Sequence, residues 1–493
     1  MMTEPDHEKA PEAITTIPPE PYTIYTPLQK ALIITLVAIA ATFSGFAGNI
    51  YFPAIPSIVS SLNVSAELIN LTVTSYMIFQ GLAPSIWGAV ADVHGRRVTY
   101  ICTFIVFIGA CIGLAQTTHY YQLVILRCLQ SAGSASTIAI GSGVVGDITM
   151  REERGGFMGI YQGATLSPVA IGPVIGGVLA QTLGWHSIFW FLTIYAGVFL
   201  VVMIVILPET LRSMVGNGSK PAKGLSMSLL AYIQLKRHPD TKPNRLERTT
   251  SSSSGSKRLS VDVLGPIKII CSIEVTLIII FMSVYYTVWQ MVIASLSTLF
   301  KRTYHLSELQ IGLTFLGNGL GCIVGTLTTG KFLDFDYRRF KSKFTGEAED
   351  FPLENARLRT IWVWAPLQIA SVLVFGWTLQ YNIHLSVPII CTFVLGWSVT
   401  SIMCLVSTLM VDIYPTKGAS ATAAVNLVRC LMGAGGTAAV LPIVNGIDVG
   451  WTFTLLSGIM LASLGLVVVQ IEKGAGWRKR RAEKVLQIER SST

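Results

Sequence analysis

Charge is what this sequence is short of. Of its 493 residues only 13% are Asp, Glu, Lys or Arg, about half the 25% share of ordinary soluble domains. With 51% hydrophobic residues and a mean hydropathy of +0.58, that scarcity excludes a soluble globular chain and implies an integral membrane protein. Carboxylates and histidines are missing from the middle of every apolar run. Asp92, Asp147, Asp334 and Asp412 stand at expected helix ends and Glu274 near the start of a run, while His94, His119, His186, His305 and His384 fall in or beside connections and His238 in a polar insert. There is no HExxH zinc motif, haem-type ligand or phosphate-cradling glycine loop with lysine, so neither an ATP-driven pump nor an enzyme is expected, and no cofactor or metal. The eight cysteines (Cys102, Cys111, Cys128, Cys271, Cys322, Cys391, Cys404, Cys430) form no CxxC pair. They read as small core residues rather than a disulfide frame.

What is present is a series of apolar runs, each long enough to cross about 30 Å of hydrocarbon. They cover Ala31 to Tyr51, Ile69 to Ala91, Val98 to Ala115, Tyr121 to Val145, Gly156 to Leu183 and His186 to Leu207. After a polar insert follow Ile267 to Leu299, Gln310 to Leu333, Thr360 to Gln380, Leu385 to Met410, Ala419 to Ile443 and Trp451 to Ile471. The expected fold is all-α and integral to the membrane, with twelve transmembrane helices in two pseudo-symmetric six-helix bundles, residues 31–208 and 265–472. Residues 1–30, polar, acidic and proline-rich, read as a disordered cytoplasmic tail without a cleaved-signal pattern. Residues 209–264, rich in Ser, Lys and Arg, read as a cytoplasmic linker, and 473–493 as a basic cytoplasmic tail. Within the linker, Lys257-Arg258-Leu259-Ser260 resembles a basic-directed phosphorylation site, the plain alternative being a solvated spacer.

Orientation follows from where Lys and Arg fall. Connections after even-numbered spans carry His94-Gly-Arg96-Arg97, Arg151-Glu-Glu-Arg154, the linker and Tyr337-Arg-Arg-Phe-Lys341, whereas those after odd-numbered spans hold little beyond Lys301 and Arg302. Both termini are therefore expected in the cytoplasm, with the plasma membrane the expected location. The net charge of +9 sits in these connections, which explains it without a nucleic-acid partner; the lipid bilayer is the implied partner, and a monomer the expected state. Asn63-Val-Ser65 is a sequon in the first outer loop, too close to the first span for a glycan to be expected.

One stretch organises the rest. Gly88-Ala-Val-Ala-Asp92-Val-His-Gly95-Arg96-Arg97 has a partner in Gly330-Lys-Phe-Leu-Asp334-Phe-Asp-Tyr-Arg338-Arg339, which repeats Gly, Asp, Arg and Arg at the same spacing 242 positions later. That offset implies two similar halves. Two charges lie well inside spans, Arg127 in the fourth and Arg429 in the eleventh. On a helix, Arg127 shares a face with Gln130, Ser131 and Ser134, and Arg429 with Asn426 and Gly433. Intramembrane cations mark function by default, lining a water-filled path and holding anionic or polar groups; the alternative is that each satisfies helix-end carbonyls or snorkels. Tyr76 and Gln80 in the second span, and Tyr286, Trp289 and Gln290 in the seventh, suit either an amphipathic ligand or hydrogen bonds between helices. Glycine runs around Gly172-Pro173-Val-Ile-Gly176-Gly177, Gly317-Asn318-Gly319 and Gly433-Ala-Gly435-Gly436 let backbones approach, and Pro173 adds a bend that permits rocking.

Taken together these residues resemble the major facilitator superfamily and, within it, the fungal twelve-span drug:proton antiporters. Gly88 to Arg97 is similar to the family's loop 2-3 motif, with Val93 in place of the usual basic residue. Arg127-Cys-Leu-Gln130-Ser-Ala-Gly133 resembles the fourth-span motif whose arginine is linked to proton transfer, Gly172-Pro173 with Gly176-Gly177 the fifth-span antiporter motif, and Leu207-Pro208-Glu209-Thr210-Leu211-Arg212 the usual end of the first half. A branch holding quinidine-resistance-type and citrate exporters is resembled through Asn49-Ile-Tyr51-Phe-Pro53, Gln80-Gly-Leu-Ala-Pro84, Tyr286-Thr-Val-Trp289, Gly317-Asn318-Gly319 and Arg429-Cys-Leu-Met-Gly433.

The resemblance implies a transporter that binds a small molecule near the midplane and exports it by alternating access in exchange for protons. The substrate is a drug, a secondary metabolite or an organic acid. A dedicated di- or tricarboxylate exporter is the alternative, favoured by paired cations without a midplane acid, and a non-transporting nutrient sensor is a third. The implied substrate and proton path comprises Arg127, Gln130, Arg429, Asn426, Gln80, Tyr76, Tyr286, Trp289 and Asn318. The resemblance also implies a latch. Asp92 stands at a helix C-terminus, where the dipole disfavours an acid, and the arginines Arg96 and Arg97 with the start of the eleventh span near Ala419 compensate it when the site faces out. Gly88 gives the room, and Asp334 with Arg338 is expected to form the pseudo-symmetric second half.

Overall fold

The computed structural model describes residues 23–150, 154–218, 224–228, 265–343, 353–414 and 418–492. The first half begins with α1 (Pro27–Asn49), whose start is fixed by a capping box between Thr26 and Gln29, four residues before the expected end of the tail. A single turn at Phe52–Ala54 carries it into α2 (Ile55–Leu62). Then follow α3 (Ala66–His94), α4 (Arg96–Ala115), α5 (Tyr120–Ser134) running on as α6 (Ser136–Ile148), α7 (Arg154–Leu183), α8 (His186–Ile206) and a short α9 (Arg212–Val215). The second half holds α10 (Gly265–Ile270), α11 (Ile273–Tyr304), α12 (Glu308–Lys343), α13 (Leu353–Leu358), α14 (Ile361–Gln380), α15 (Ser386–Ile413), α16 (Gly418–Ile447) and α17 (Val449–Ser492). The basic stretch after residue 472 thus continues a helix. Ser260 and its basic neighbours lie outside the described residues.

Eleven helical stretches among the described residues are long and apolar enough to cross a membrane. The twelfth crossing is α3, which has the length, 29 residues, but carries Asn70, Thr72, Thr74, Ser75 and Gln80. Its polarity has a physical reason: α3 packs between α5 and α16, so much of its circumference meets protein, where hydroxyls and amides find partners.

The two halves meet along two seams, α3 against α16 and α7 against α12. Along the second, backbones touch. A Cβ on Gly177 would come 2.5 Å from the Glu308 carbonyl oxygen, and one on Gly312 2.5 Å from that of Pro173. The face carrying the α3–α4 turn, residue 23 and the end of α17 is termed the basic face. At the opposite, far face, Ser57 Oγ donates to Glu308 Oε1 at 2.9 Å, Asn445 Nδ2 to Glu67 Oε1 at 2.6 Å, and the Leu309 N–H to Gln181 Oε1 at 3.1 Å. Deeper, Asn70 Nδ2 donates to the Thr437 carbonyl (2.9 Å), Thr74 pairs with Thr437 (3.1 Å), and Asn426 Nδ2 reaches the Gln80 carbonyl (3.3 Å). Beyond that level no hydrogen bond between described residues joins the halves. Side chains added at Gly88 or Gly330 would meet nothing within 4 Å. Among the described residues, the halves are joined at the far face and share no hydrogen bond at the basic face.

Each half is tied within itself at the basic face. Gly95 alone separates α3 from α4, at φ 100°, a conformation that favours glycine; any Cβ there would also collide with the Glu209 carboxylate. That carboxylate, 3% exposed, accepts from the N–H groups of Arg96 (2.8 Å) and Arg97 (3.2 Å) and of its own neighbours Thr210 and Leu211 (3.0 Å each). It caps α4 with charge of the right sign for a helix N-terminus. Arg97 reciprocates, donating to the Met203, Ile204 and Leu207 carbonyls at the end of α8, and Arg212 Nε caps the Asp147 carbonyl of α6 at 2.8 Å. In the second half, Arg357 pairs with Asp412 at 2.8 Å and Arg478 with Glu354 at 3.4 Å.

Replacing Glu209 by Ala removes the acceptor of four backbone donors, three of them buried, and we expect a loss of about 1–3 kcal/mol. The check is a lower melting temperature for the detergent-purified protein, with Glu209→Gln, which keeps one acceptor oxygen, falling in between.

Candidate functional site

Arg429 stands at mid-helix on α16. Its Nε and Nη2 both donate to Asn426 Oδ1, at 3.1 and 2.7 Å, one turn back on the same face. The guanidinium carbon lies 4.9 Å from the Tyr286 ring centroid. Nη1 has no hydrogen-bond partner among the described residues, and the side chain is half-buried. Asn426 in turn reaches across to the Gln80 backbone of α3, so the cation stands beside the seam between the halves, at its last hydrogen bond toward the basic face. Tyr286 on α11 packs its ring 5.5 Å from that of Trp289, whose Nε1 donates to Asn318 Oδ1 on α12 at 2.9 Å. Asn318 itself is sealed, while Trp289 and Gln80 are half-buried. Helices α3, α11, α12 and α16 thus bring together Gln80, Asn426, Arg429, Tyr286, Trp289 and Asn318.

Arg127 lies elsewhere. It is 1% exposed, inside the first bundle, with its guanidinium between the rings of Tyr51 and Tyr76 at 4.4 and 4.3 Å. Nη1 donates to the Ala47 carbonyl (2.9 Å) and to Gln130 Oε1 (2.6 Å), while Nε is buried without a partner. Gln130 passes its amide to Cys111 Sγ at 3.3 Å, and Tyr76 fixes its hydroxyl on the Ser44 carbonyl at 3.1 Å. Neither arginine pairs with a carboxylate among the described residues. Faces of aromatic rings stand in for one, at ~2 kcal/mol per desolvated contact.

The other site expectations divide. Pro173 and Gly177 meet α12 in the α7–α12 seam, while Gly172 and Gly176 pack on the end of α1 within the first half, Gly176 directly against the Ile50 carbonyl. Asp92 pairs with Arg96 at 2.7 Å, and Arg96 also reaches Asp147 at 3.2 Å; neither has a hydrogen bond or ion pair with α16 among the described residues. Arg97 serves α8. The second-half repeat differs in backbone: α12 runs unbroken to Lys343, because Tyr337 occupies the position of Gly95, so Arg338 continues a helix instead of opening a new one. The pairing that matches Arg96 with Asp147 is Arg357 with Asp412. The side chains of Asp334 and Arg338 are outside the described residues.

Three participants were not apparent from sequence patterns. Tyr51 lies within a quoted motif, but nothing in its spacing places it over Arg127. Asp147, at a helix end, becomes a partner of Arg96 only through the fold. Glu209 reads as the close of the first half, and its capping role needs the α3–α4 turn to be folded against it.

These features coincide with a known group of membrane transporters. The Major Facilitator Superfamily profile matches residues 37–437, and the chain belongs to that superfamily. It is 42% identical over 478 residues to citrate exporter 1 of Aspergillus niger, covering 94% of this chain and 90% of the relative. It is 36% identical over 459 residues to the antiporter QDR2 of Candida albicans, covering 91% and 90%. Among solved structures, the human organic anion transporter MFSD10 shares the fold, with a TM-score of 0.59 at 15% identity over 90% of this chain and all of that one. The chain is therefore a multi-pass membrane transporter of the exporter kind and not an enzyme.

Lysine cannot lie flat between two rings while donating to two acceptors. Arg127→Lys is expected to reduce transport at least about tenfold, ~1.4 kcal/mol, with unchanged expression and gel-filtration profile. Uptake or efflux assays normalised to protein amount give the answer.

Proposed function

We propose that this transporter carries small organic acids out of the cell, exchanging them for protons, and that the half-exposed Arg429 holds a carboxylate of the substrate. The observation that carries this reading is a half-buried cation between the halves with one free donor, Nη1, and only a neutral amide and a tyrosine ring for company. A charge so placed attracts an anion and repels a cation. The citrate-exporter relative supports a di- or tricarboxylate. The aromatic wall of Tyr286 and Trp289 favours a second reading, a broader drug or secondary-metabolite carrier, which the QDR2 relative supports. On either reading the substrate cavity is Arg429, Asn426, Gln80, Tyr286, Trp289 and Asn318, and Arg127 with Gln130 and Tyr76 serves it from within the first bundle.

In this reading the basic face is cytoplasmic, both termini lie there, the membrane is the plasma membrane, and the protein works as a monomer. The conformation described is then open to the cytoplasm, ready to load. Closing that face brings α16 toward Asp92 and Arg96 and engages the latch; reopening uses the bend at Gly172-Pro173 and the contacts of Gly176 and Gly177. Protons exchange at helix-end carboxylates, Asp92 and Asp147, which share Arg96.

Two variants test this. Arg429→Ala should abolish citrate efflux from proteoliposomes while leaving quinidine resistance in cells intact; equal loss of both supports the broader carrier, and no effect on either removes Arg429 from the site. Asp92→Asn should reach the cell surface at parental levels and transport at roughly a tenth of the parental rate, ~1.4 kcal/mol. A normal rate in that variant would eliminate the latch.

A further inference from the structure

Met77 belongs to the first half, yet the contacts that hold its tip come from the second. It sits on α3 just short of one turn toward the far face from Gln80 and is 1% exposed. Gln290 Nε2 of α11 approaches its Sδ at 3.5 Å and Thr437 Oγ1 of α16 at 3.9 Å. The space it fills exists because residue 433 is glycine: a Cβ there would stand 2.6 Å from Met77 Cε and 3.1 Å from Tyr286 Cε1. Gly433 is one turn beyond Arg429 on α16 and Thr437 one turn further. The socket therefore lies immediately on the far-face side of the Arg429 cation, and Tyr286 is shared between them, its ring facing the guanidinium and edging the socket.

We infer that Met77, seated in the socket formed by Gly433, Tyr286, Gln290 and Thr437, is the plug that closes the far-face gate and the roof over the cavity at Arg429. Methionine suits the task. Its unbranched chain has three rotatable bonds and its sulfur accepts weak hydrogen bonds from an amide and a hydroxyl, so it enters and leaves the socket with little penalty for the groups it deserts. Around it, Asn70 and Thr74 bond Thr437, which holds the rim of the socket to α3 on the far side. Opening the far face requires all of these to part, with the plug withdrawn from between α11 and α16. When it is seated, the plug also limits how far a substrate bound at Arg429 extends in that direction.

The inference rests on alternating access and not on the chemistry of the substrate, so its test adds no ligand. The full-length protein in lipid nanodiscs is followed by hydrogen–deuterium exchange with mass spectrometry. Gly433→Ala denies Met77 its seat. We expect faster exchange, by about tenfold, in the far-face parts of α3 and α16, with slower exchange at their basic-face ends. In a Met77→Ala background the same Gly433→Ala change should have a much smaller effect, since the 2.6 Å clash needs both side chains and the 3.1 Å approach to Tyr286 that remains asks only a small shift of that ring. A shift of equal size in both backgrounds, or no shift in either, overturns the inference. Should Gly433→Ala not yield monodisperse protein, Met77→Phe enlarges the plug instead of shrinking the socket and is expected to open the far face in the same way. Parental exchange in Met77→Phe overturns the inference as well.

Discussion

A guanidinium cannot be left bare in the interior of a membrane protein, and most of what distinguishes this molecule follows from how two of them are accommodated. Neither Arg127 nor Arg429 has a carboxylate among the described residues. Arg127 is enclosed by two tyrosine rings, a carbonyl and an amide, all from its own half. Its charge is thereby spread over soft, neutral partners. Arg429 has one ring and one amide oxygen, and that same Asn426 also reaches across to α3. Its surroundings are shared between the halves and change when they move. The two cations thus differ in whether their partners belong to one half or to both.

Two further carboxylates, Glu67 and Glu308, accept across the seam at the far face, whereas the charge of the basic face is tied up within each half. At the basic face, Glu209, Arg96, Arg97, Asp147 and Arg212 bind each other and the ends of α3, α4, α6 and α8, and Arg357, Asp412, Glu354 and Arg478 do the same in the second half. These ties are within halves, so each bundle keeps its shape at the face where the two separate. Between halves the contacts are mostly neutral hydrogen bonds and backbone approaches, each worth about 1 kcal/mol net. Strong bonds inside and weak bonds across are what rigid-body rocking needs.

Much of this was legible in the sequence. Apolar run lengths and the placement of basic connections led to the twelve-span, two-half arrangement, and the motifs around Gly88, Arg127 and Gly172 led to the family. Run length and hydropathy are properties of a segment alone, which is why they survive folding almost unchanged. The site was only partly legible, because it depends on who faces whom. Helical spacing puts Arg127 beside Gln130 and Ser131, and that is correct, but spacing says nothing about Tyr51 and Tyr76 closing over it from α1 and α3. The same limit applies to α3 itself: its polar content looks like weak membrane character until α5 and α16 are seen on either side.

The internal repeat shows the difference most sharply. The 242-residue offset aligns Gly, Asp, Arg and Arg without error, yet it aligns Gly95 with Tyr337. Glycine at φ 100° ends one helix and begins the next within a single residue, which turns Arg96 and Arg97 back across the bundle toward α6 and α8. Tyrosine is not suited to that conformation, so α12 continues straight and its two arginines advance along the helix. The second half recovers the lost ion pair with Arg357, from a separate helix some twenty residues on. The order of acid and donor is also inverted, since Glu354 precedes α14 and Arg478 lies on the extension of α17, whereas in the first half Arg97 opens α4 and Glu209 follows α8. What the two halves preserve is therefore a set of tied helix ends. One glycine decides which residues do the tying.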